Sequence, residues 1–374
     1  MKTYLYSVIF FIAFTSCSHF SQKKNWIKAK PEILKEGSDF QIPISAKANA
    51  YTENLQFNDG LFLSTNIHNN SVSIFDYNGQ VLLHKELDTM LDNRKIKVEG
   101  AWFTSLDSVF ISDESHLNTL IQLTDTGRSI VFKQLVPRES SVNQLKPTLR
   151  VSTKQIPVII KNAIYFSGLV GSEKKGLMPN QRPVIGKIYR NTVTYIGRYP
   201  DEYIGRDWGS FFFKEVYMTA LVDHLIYFNF PASSSIGILD TKTDSFYFKK
   251  IEPSLGDLVK PIIVNAFDSS CKNPNIDADH FYAQHSFGPI IYDKYRKLFY
   301  RFLLKPTDEK YLKKEHMGPQ SKYLLVYDKS FNLLGYNELP ENLTHFNFFV
   351  NSKSLNIQKI VIGDGNNMHF VPFY

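Results

Sequence analysis

The feature that most constrains the fold is a strand-rich unit that contains a tight turn and occurs twice between residues 61 and 135. In the first copy, Leu61–Thr65 and Ser71–Asp76 precede the turn Asp76–Gly79, and Val81–Glu86 follows it. About 48 residues later, Asp125-Thr126-Gly127 forms the equivalent turn, where glycine accepts a positive φ without steric cost. The flanking residues alternate between apolar and polar with the period of a half-buried strand. This recurrence is typical of the blades of a β-propeller.

The rest of the chain continues the pattern and predicts an all-β, six-bladed β-propeller. The second strands of successive units begin near residues 61, 108, 163, 225, 298 and 355. The 30 Phe and 21 Tyr residues suit stacked sheets, because flat rings fill the space between neighbouring blades. We predict a single propeller domain over residues 37–374, in which an N-terminal strand near Gln41–Ser45 completes the last blade and removes an exposed edge. A ring of five or seven blades stays open, because the third and last units are irregular.

The N-terminus predicts an export signal. Lys2 is followed by the apolar run Tyr4–Phe14, which is too short to span a bilayer permanently. The next residues, Thr15-Ser16-Cys17, resemble the end of a bacterial lipoprotein signal, in which the cysteine is acylated. We therefore predict a signal peptide over residues 1–16 and a basic, lipidated tether over residues 17–36. The alternative is an ordinary cleaved signal in which Cys17 is incidental.

These assignments predict where the protein resides and what it contacts. The acyl group on Cys17 would hold a monomeric domain on the outer membrane, and the periplasmic face is favoured because no acidic cluster follows that cysteine. Cys271 would then have no partner for an intramolecular disulfide, and nothing near it indicates a catalytic thiol. A net charge of +7 is moderate, and export argues against a nucleic-acid partner. No cofactor is predicted.

Several short motifs, taken in order, carry a family resemblance. They are Leu106-Asp107-Ser108-Val109-Phe110-Ile111, Ile290-Ile291-Tyr292-Asp293, Leu298-Phe299-Tyr300-Arg301-Phe302, Leu325-Val326-Tyr327-Asp328 and Leu339-Pro340. Together with the lipoprotein-like start, they resemble the Bacteroidota lipoprotein family catalogued as domain of unknown function 4221. The resemblance implies a six-bladed propeller and an envelope location. It implies no activity and no catalytic residue.

Signatures of common chemistry are missing from the sequence. No HExxH, GxSxG, Walker, GxGxxG or CxxC motif occurs, and sialidase-type Asp boxes are also missing. Carboxylates that meet from different blades would leave no sequence signature. The acidic stretch 273–280 has the oxygen-ligand alternation of a calcium loop but Ala278 at the turn position, so a polar loop is favoured. His280, His285 and His316 lack the spacing of a zinc site, and we predict no metal.

The candidate ligand site is the stretch Tyr199–Trp208. Its members Tyr203, Arg206, Asp207 and Trp208 combine aromatic stacking faces with a guanidinium fork that suits carboxylate or sulfate. On an inter-blade loop, they could line the mouth of the central channel. The alternative is an Arg206–Asp207 pair that supports the loop while Trp208 packs between blades.

Two main hypotheses about function follow. The first is a binding or scaffolding propeller that presents rim loops to an envelope protein, a peptide or a glycan. The alternative is a hydrolase or lyase whose residues converge on the central channel, and a third reading is an accessory or sensor lipoprotein of nutrient uptake. The binding hypothesis predicts an aromatic and polar patch without a titratable cluster. The enzyme hypothesis predicts clustered Asp, Glu, His or Arg in the channel.

Overall fold

The computed structural model describes most of the chain, and six sheets form a ring, which confirms the predicted six-bladed β-propeller. The described residues are 29–44, 52, 54–87, 90–91, 94–95, 97–113, 120–123, 129–132, 147–149, 151–170, 183–190, 192–204, 206, 208, 211–254, 259–261, 280–308 and 320–374. Within them, the helical elements are a 3-10 helix at Asp201–Tyr203 and α1 at Phe211–Lys214. No helix in this part of the chain has the length and hydropathy needed to cross a membrane.

The strands of the described part follow one another in chain order around the ring. They are β1 (Lys30–Pro31), β2 (Phe40–Pro43), β3 (Leu55–Asn58), β4 (Leu61–Asn66), β5 (Ser71–Asp76), β6 (Val81–Glu86), β7 (Met90–Leu91), β8 (Arg94–Lys95), β9 (Val98–Ser105), β10 (Ser108–Asp113), β11 (Leu120–Leu123), β12 (Ser129–Phe132), β13 (Pro147–Leu149), β14 (Val158–Ile160), β15 (Ala163–Val170), β16 (Ile185–Tyr189), β17 (Thr192–Ile196), β18 (Tyr217–Val222), β19 (Leu225–Asn229), β20 (Ser235–Asp240), β21 (Ser245–Lys250), β22 (Ser286–Asp293), β23 (Leu298–Leu304), β24 (Lys322–Tyr327), β25 (Leu333–Leu339), β26 (Leu343–Val350), β27 (Leu355–Lys359) and β28 (Asn367–Phe373).

Each blade is an antiparallel sheet whose first strand faces the central channel. Blade 1 is β3–β6, blade 2 is β9–β12, blade 3 is β13–β17, blade 4 is β18–β21, blade 5 is β22–β25 and blade 6 is β26–β28. The second strands of the six blades begin at residues 61, 108, 163, 225, 298 and 355, as predicted. The short hairpin β7–β8 stands between blades 1 and 2.

The ring closes through the N-terminal strand. Strand β2 pairs antiparallel with β28 and becomes the outer strand of blade 6, with Phe40 opposite Phe370. Ile42 on this strand is buried and packs in one apolar cluster with Phe62 of blade 1 and Met368 of blade 6. The predicted closing strand is confirmed, and it ends at Pro43, two residues earlier than the sequence suggested.

The segment just before β2 differs from the prediction. Residues 29–36 fall within the predicted tether, yet β1 pairs in parallel with β25 of blade 5. The Asn337 side chain accepts a hydrogen bond from Leu34 N at 3.0 Å and donates one to Leu34 O at 2.7 Å. Because these bonds satisfy the buried backbone of Leu34, the end of the predicted tether belongs to the propeller.

The first strand of blade 3 is interrupted, and this interruption shapes the channel. Both β13 and β14 pair with β15, so they are two pieces of one inner strand. Between them, the segment 151–156 (the channel segment) leaves the edge of the blade and hydrogen-bonds to the inner strands of other blades. Its Ile156 N donates to Met218 O of blade 4 at 2.9 Å, and its Lys154 O accepts from Met218 N at 2.9 Å.

Candidate functional site

A cavity of about 250 Å³ lies in the central channel. Its walls are the C-terminal ends of the inner strands of blades 1, 4, 5 and 6, with Leu55–Asn58 contributed by blade 1. These strand ends lead into the turns that join the first and second strands of each blade, and we call this side of the ring the hairpin face. The turn residues Asp59, Lys294 and Tyr295 line the cavity and are exposed, so the cavity opens on the hairpin face.

The channel segment forms the floor of the cavity through Thr153 and Ile156. Thr153 Oγ1 accepts a hydrogen bond from Leu55 N at 2.8 Å, and Leu55 O and Asn347 Oδ1 lie 2.8 and 3.0 Å from the same hydroxyl. Asn347 in turn donates to Gln358 Oε1 at 2.7 Å. These contacts join blade 3 to blades 1 and 6 across the channel. In the described part of the chain, the cavity is therefore blind.

A glycine gives the channel segment room to cross. A Cβ built on Gly100, in the inner strand of blade 2, would overlap the carbonyl oxygen of Val151 and lie 2.6 Å from Asn54 Nδ2. The Asn54 amide also donates to Val151 O at 3.3 Å. Blades 1, 2 and 3 thus meet at a point that only a residue without a side chain can occupy.

Lys154 of the channel segment forms a buried ion pair, and neither member of the pair lines the cavity. Lys154 Nζ is 3.3 Å from Glu215 Oε2, and their side chains are 10% and 3% exposed. The Lys154 ammonium also lies 4.9 Å from the ring centroids of both Tyr217 and Phe346. Burial, together with the positive charges of Lys154 and Lys322, holds the pKa of His345 well below its usual range, so this imidazole is neutral at pH 7.

The cavity walls combine aromatic rings with neutral hydrogen-bonding groups. Phe57 and Tyr292 are half-buried. Gln56 Nε2 donates to Ala101 O at 2.7 Å and Asn58 Nδ2 donates to Thr104 O at 3.1 Å, which orients both amides at the wall. Among the described lining residues, the charged ones are one acid and one base, Asp59 and Lys294, and both are exposed at the lip.

Two tyrosines stand at the mouth. Tyr295 is 46% exposed and Tyr77, from the outer turn of blade 1, is 37% exposed. Burial raises the pKa of Tyr77, and the neighbouring Tyr295 phenol adds to that rise. Tyr77 is held by an edge-on contact with Phe57 at 5.8 Å and by Asn351 Nδ2, 3.4 Å from its hydroxyl. Lys294 Nζ lies 5.2 Å from the Tyr295 ring centroid.

Three of the four predicted rim residues, Tyr203, Arg206 and Trp208, lie elsewhere, in the segment before β18. Tyr203 and Trp208 are buried, with ring centroids 5.5 Å apart. The Tyr203 hydroxyl donates to Phe213 O at 2.7 Å and accepts from Ala232 N at 3.0 Å. Both rings therefore pack inside the fold, and the alternative interpretation had expected such packing for Trp208.

The structure describes only one of the other two predicted rim residues. Arg206 is exposed, and Asp207 lies outside the described residues. Where these residues lie does not test whether they bind a ligand. That role stays a prediction for Tyr203, Arg206, Asp207 and Trp208. Tyr203, Arg206 and Trp208 precede β18, at the opposite end of that inner strand from the hairpin face.

The remaining predicted candidates are only partly described. His280 packs 5.9 Å from Phe213, and burial lowers the pKa of His285, with the charge of Lys305 as a smaller cause. His316, Cys17, Cys271 and the stretch 273–279 lie outside the described residues. Within the described part of the chain, no group of three His, Cys, Asp or Glu side chains could hold a metal ion.

The cavity residues were missed by motif searches, although one signal does point to them. Every inner strand of a propeller ends at the channel, so residues just before the first turn of each unit converge there. Phe57 and Tyr292 occupy this position, before Asp59-Gly60 and before the turn at 294–297. Of the two, only Tyr292 stands in a sequence motif, and that motif indicates the family rather than a site.

Comparisons with known proteins agree with this architecture. The model of the family described as Domain of unknown function (DUF4221) matches residues 102–337. A DUF4221 family member from Bacteroides vulgatus superposes with a TM-score of 0.70 at 14% identity, covering 91% of this chain and 97% of the other. A protein from Bacteroides fragilis, described as exported, has a TM-score of 0.55 at 10% identity, covering 92% and 95%.

Weaker structural matches indicate no activity for this chain. Structural neighbours include enzymes such as a streptogramin B lyase, which has a TM-score of 0.44 at 11% identity over 90% of this chain and 99% of the other. No curated protein sequence matches the chain. Since the family model spans most of the propeller and a family member shares its overall structure, the chain belongs to the DUF4221 family.

Proposed function

We propose that the protein is a binding module and that the blind cavity on the hairpin face is its ligand site. The observation that carries this proposal is the chemistry of the cavity wall. Aromatic rings and neutral amide and hydroxyl groups line it, while its charged lining residues in the described chain, Asp59 and Lys294, lie at the lip. Such a wall can orient a ligand by hydrogen bonds and ring contacts. The described lining residues do not include a convergent acid, base or nucleophile of the kind that catalysis requires.

The size of the cavity limits what can enter. Sites for drug-sized molecules usually enclose about 300–1,000 Å³. A cavity of about 250 Å³ lies just below that range and would take one small molecule or one unit of a larger chain. This supports the binding of a peptide, a glycan or a protein segment at the hairpin face, with one residue inserted into the cavity.

The location forms part of the same proposal. An acylated Cys17 would anchor the propeller to the outer membrane, facing the periplasm, and an exported structural relative supports this environment. The hairpin-face turns would then be available to an envelope component, with the rigid ring holding them in place.

Substitutions in the wall and at the mouth of the cavity test the ligand site. Val350 is half-buried in the cavity wall, so Val350→Trp would place an indole inside. Binding can be followed by saturation-transfer NMR against a panel of mono- and oligosaccharides and short peptides. We expect Val350→Trp to weaken every panel ligand at least tenfold and Tyr295→Ala to weaken it about two- to tenfold.

The matched control is Tyr247→Ala. Tyr247 is 47% exposed, close to the 46% of Tyr295, but it lies on β21, the outer strand of blade 4. This variant should bind as the wild type does. Equal binding by wild type and Val350→Trp, with unchanged thermal unfolding, would remove the cavity as the ligand site.

The alternative, a hydrolase or lyase with residues converging on the channel, rests on Lys154, Glu215 and His345. These side chains lie close together, yet none of the three lines the cavity. The ion pair is satisfied internally and the imidazole is neutral. If these residues were catalytic, Glu215→Gln would abolish turnover of a bound ligand without changing its affinity.

A further inference from the structure

We infer that the cavity receives the terminal residue of a neutral saccharide chain, which enters from the hairpin face. This inference rests on the proposed function and names the class of ligand for that site. It depends on three independent observations: the closed floor, the sign and position of charges, and the arrangement of the mouth tyrosines.

The closed floor selects chain ends. The channel segment bonds to Leu55 of blade 1, Asn347 of blade 6 and Met218 of blade 4, and so it crosses the channel from wall to wall. A polymer cannot thread through a cavity that is blocked in this way. An internal unit could enter only if the chain folded back on itself, whereas a terminal unit enters directly.

The charges favour a neutral chain end. The end of a peptide carries an ammonium or a carboxylate, and burying such a charge without a partner is costly. Within the described lining, Asp59 and Lys294 are the charged residues, and both are exposed at the lip rather than inside. With one charge of each sign, they also select neither anions nor cations. A sugar end bears hydroxyl groups, which can donate to and accept from a side-chain amide such as that of Asn58, which is half-buried in the cavity wall.

The mouth supports a second unit of the same chain. Tyr77 and Tyr295 are neighbours at the mouth of the cavity, 37% and 46% exposed. A sugar ring presents a face of C–H groups that packs on the electron-rich face of an aromatic ring. Phe57 and Tyr292 offer such surfaces deeper in the site. The rings inside the cavity and those at its mouth therefore suit a saccharide chain whose last sugar lies inside and whose next sugar packs on Tyr77 and Tyr295.

The experiment compares linear and cyclic forms of the same neutral glucans, because the cyclic form has the same rings but no terminal residue. The probes are linear and cyclic glucans of several linkages, neutral disaccharides of other sugars, disaccharides that end in a uronic acid, and tripeptides with free or blocked ends. Each is titrated into the detergent-solubilised full-length protein and into Val350→Trp and Tyr295→Ala, with Tyr247→Ala as the control.

We expect at least one neutral linear saccharide to bind at or below about 1 mM and at least tenfold more tightly than its cyclic or uronic-acid counterpart. Tyr295→Ala should weaken it about two- to tenfold. Equal affinity for linear and cyclic forms, or no binding of any neutral saccharide at about 1 mM, would overturn the inference. Binding of charged peptide ends that Val350→Trp abolishes would overturn it while leaving the proposed site intact. Saccharide binding that Val350→Trp does not change would instead refute the site.

Discussion

Replacing Glu215 by glutamine should destabilise the fold strongly, because it leaves a lysine ammonium buried without its counter-ion. Lys154 and Glu215 are 3.3 Å apart with side chains 10% and 3% exposed, so water can replace neither partner. Removing one member of such a pair typically costs about 3–5 kcal/mol. The rings of Tyr217 and Phe346, 4.9 Å from the ammonium, contact it in the wild type as well, so they do not offset the loss. We therefore expect Glu215→Gln to lower the free energy of unfolding by about 3–5 kcal/mol.

The assay is urea unfolding at pH 7 for the wild type, Glu215→Gln and the double variant Lys154→Met/Glu215→Leu. The double variant should regain most of the loss, because apolar side chains of similar volume remove the uncompensated charge. Asp201→Asn, which breaks the exposed Arg198–Asp201 pair, is the control and should leave the unfolding midpoint unchanged. A loss below about 1 kcal/mol in Glu215→Gln, the size typical of an exposed pair, would refute the reasoning.

Three further predictions concern the crossing point, the ring closure and a buried lysine. In urea unfolding, Gly100→Ala should lower the free energy of unfolding by about 3 kcal/mol or more, because its Cβ meets the backbone of Val151. Gly365→Ala is the control and should be neutral, since no atom lies within 4 Å of its Cβ. Equal effects of the two substitutions would contradict the crossing of the channel segment at Gly100. Ile42→Ala should cost about 2–5 kcal/mol, and a cost near zero would argue against closure by β2. Burial lowers the pKa of Lys322 from 10.5 to about 8, so the unfolded chain binds more protons between these values. Stability should therefore rise from about pH 8 to 10.5 by up to about 3 kcal/mol, relative to Lys322→Met, and parallel pH profiles of the two proteins would refute this.

The blade pattern could be predicted from the sequence because it depends on local rules. The period of two along each strand and the turn residues between strands are both visible in a single chain. Gly79 indeed adopts a positive φ of 76°, as the turn requires. The role of β2 in closing the ring was also predictable. The last blade would otherwise expose the edge of its outer strand, and β2 was the strand that belonged to no blade.

The site could not be predicted in the same way because it depends on contacts between distant residues. Thr153 and Asn347 are far apart in sequence, and nothing near either one shows that they meet across the channel. The interruption of the inner strand of blade 3 appears in the sequence only as an irregular unit. By contrast, Trp208 was noticed for its residue type, but the packing around Phe213 that buries it is a tertiary property.

The most direct test of the central claim is hydrogen–deuterium exchange on the full-length protein, with and without a soluble extract of bacterial envelope glycans. A ligand in the blind cavity should slow backbone exchange in residues 54–60 and 289–296, which form its wall and mouth, and leave β21 at residues 245–250 unchanged. Protection limited to residues 199–204 and 211–216, before β18, would instead place binding at the opposite end of the ring and contradict the account.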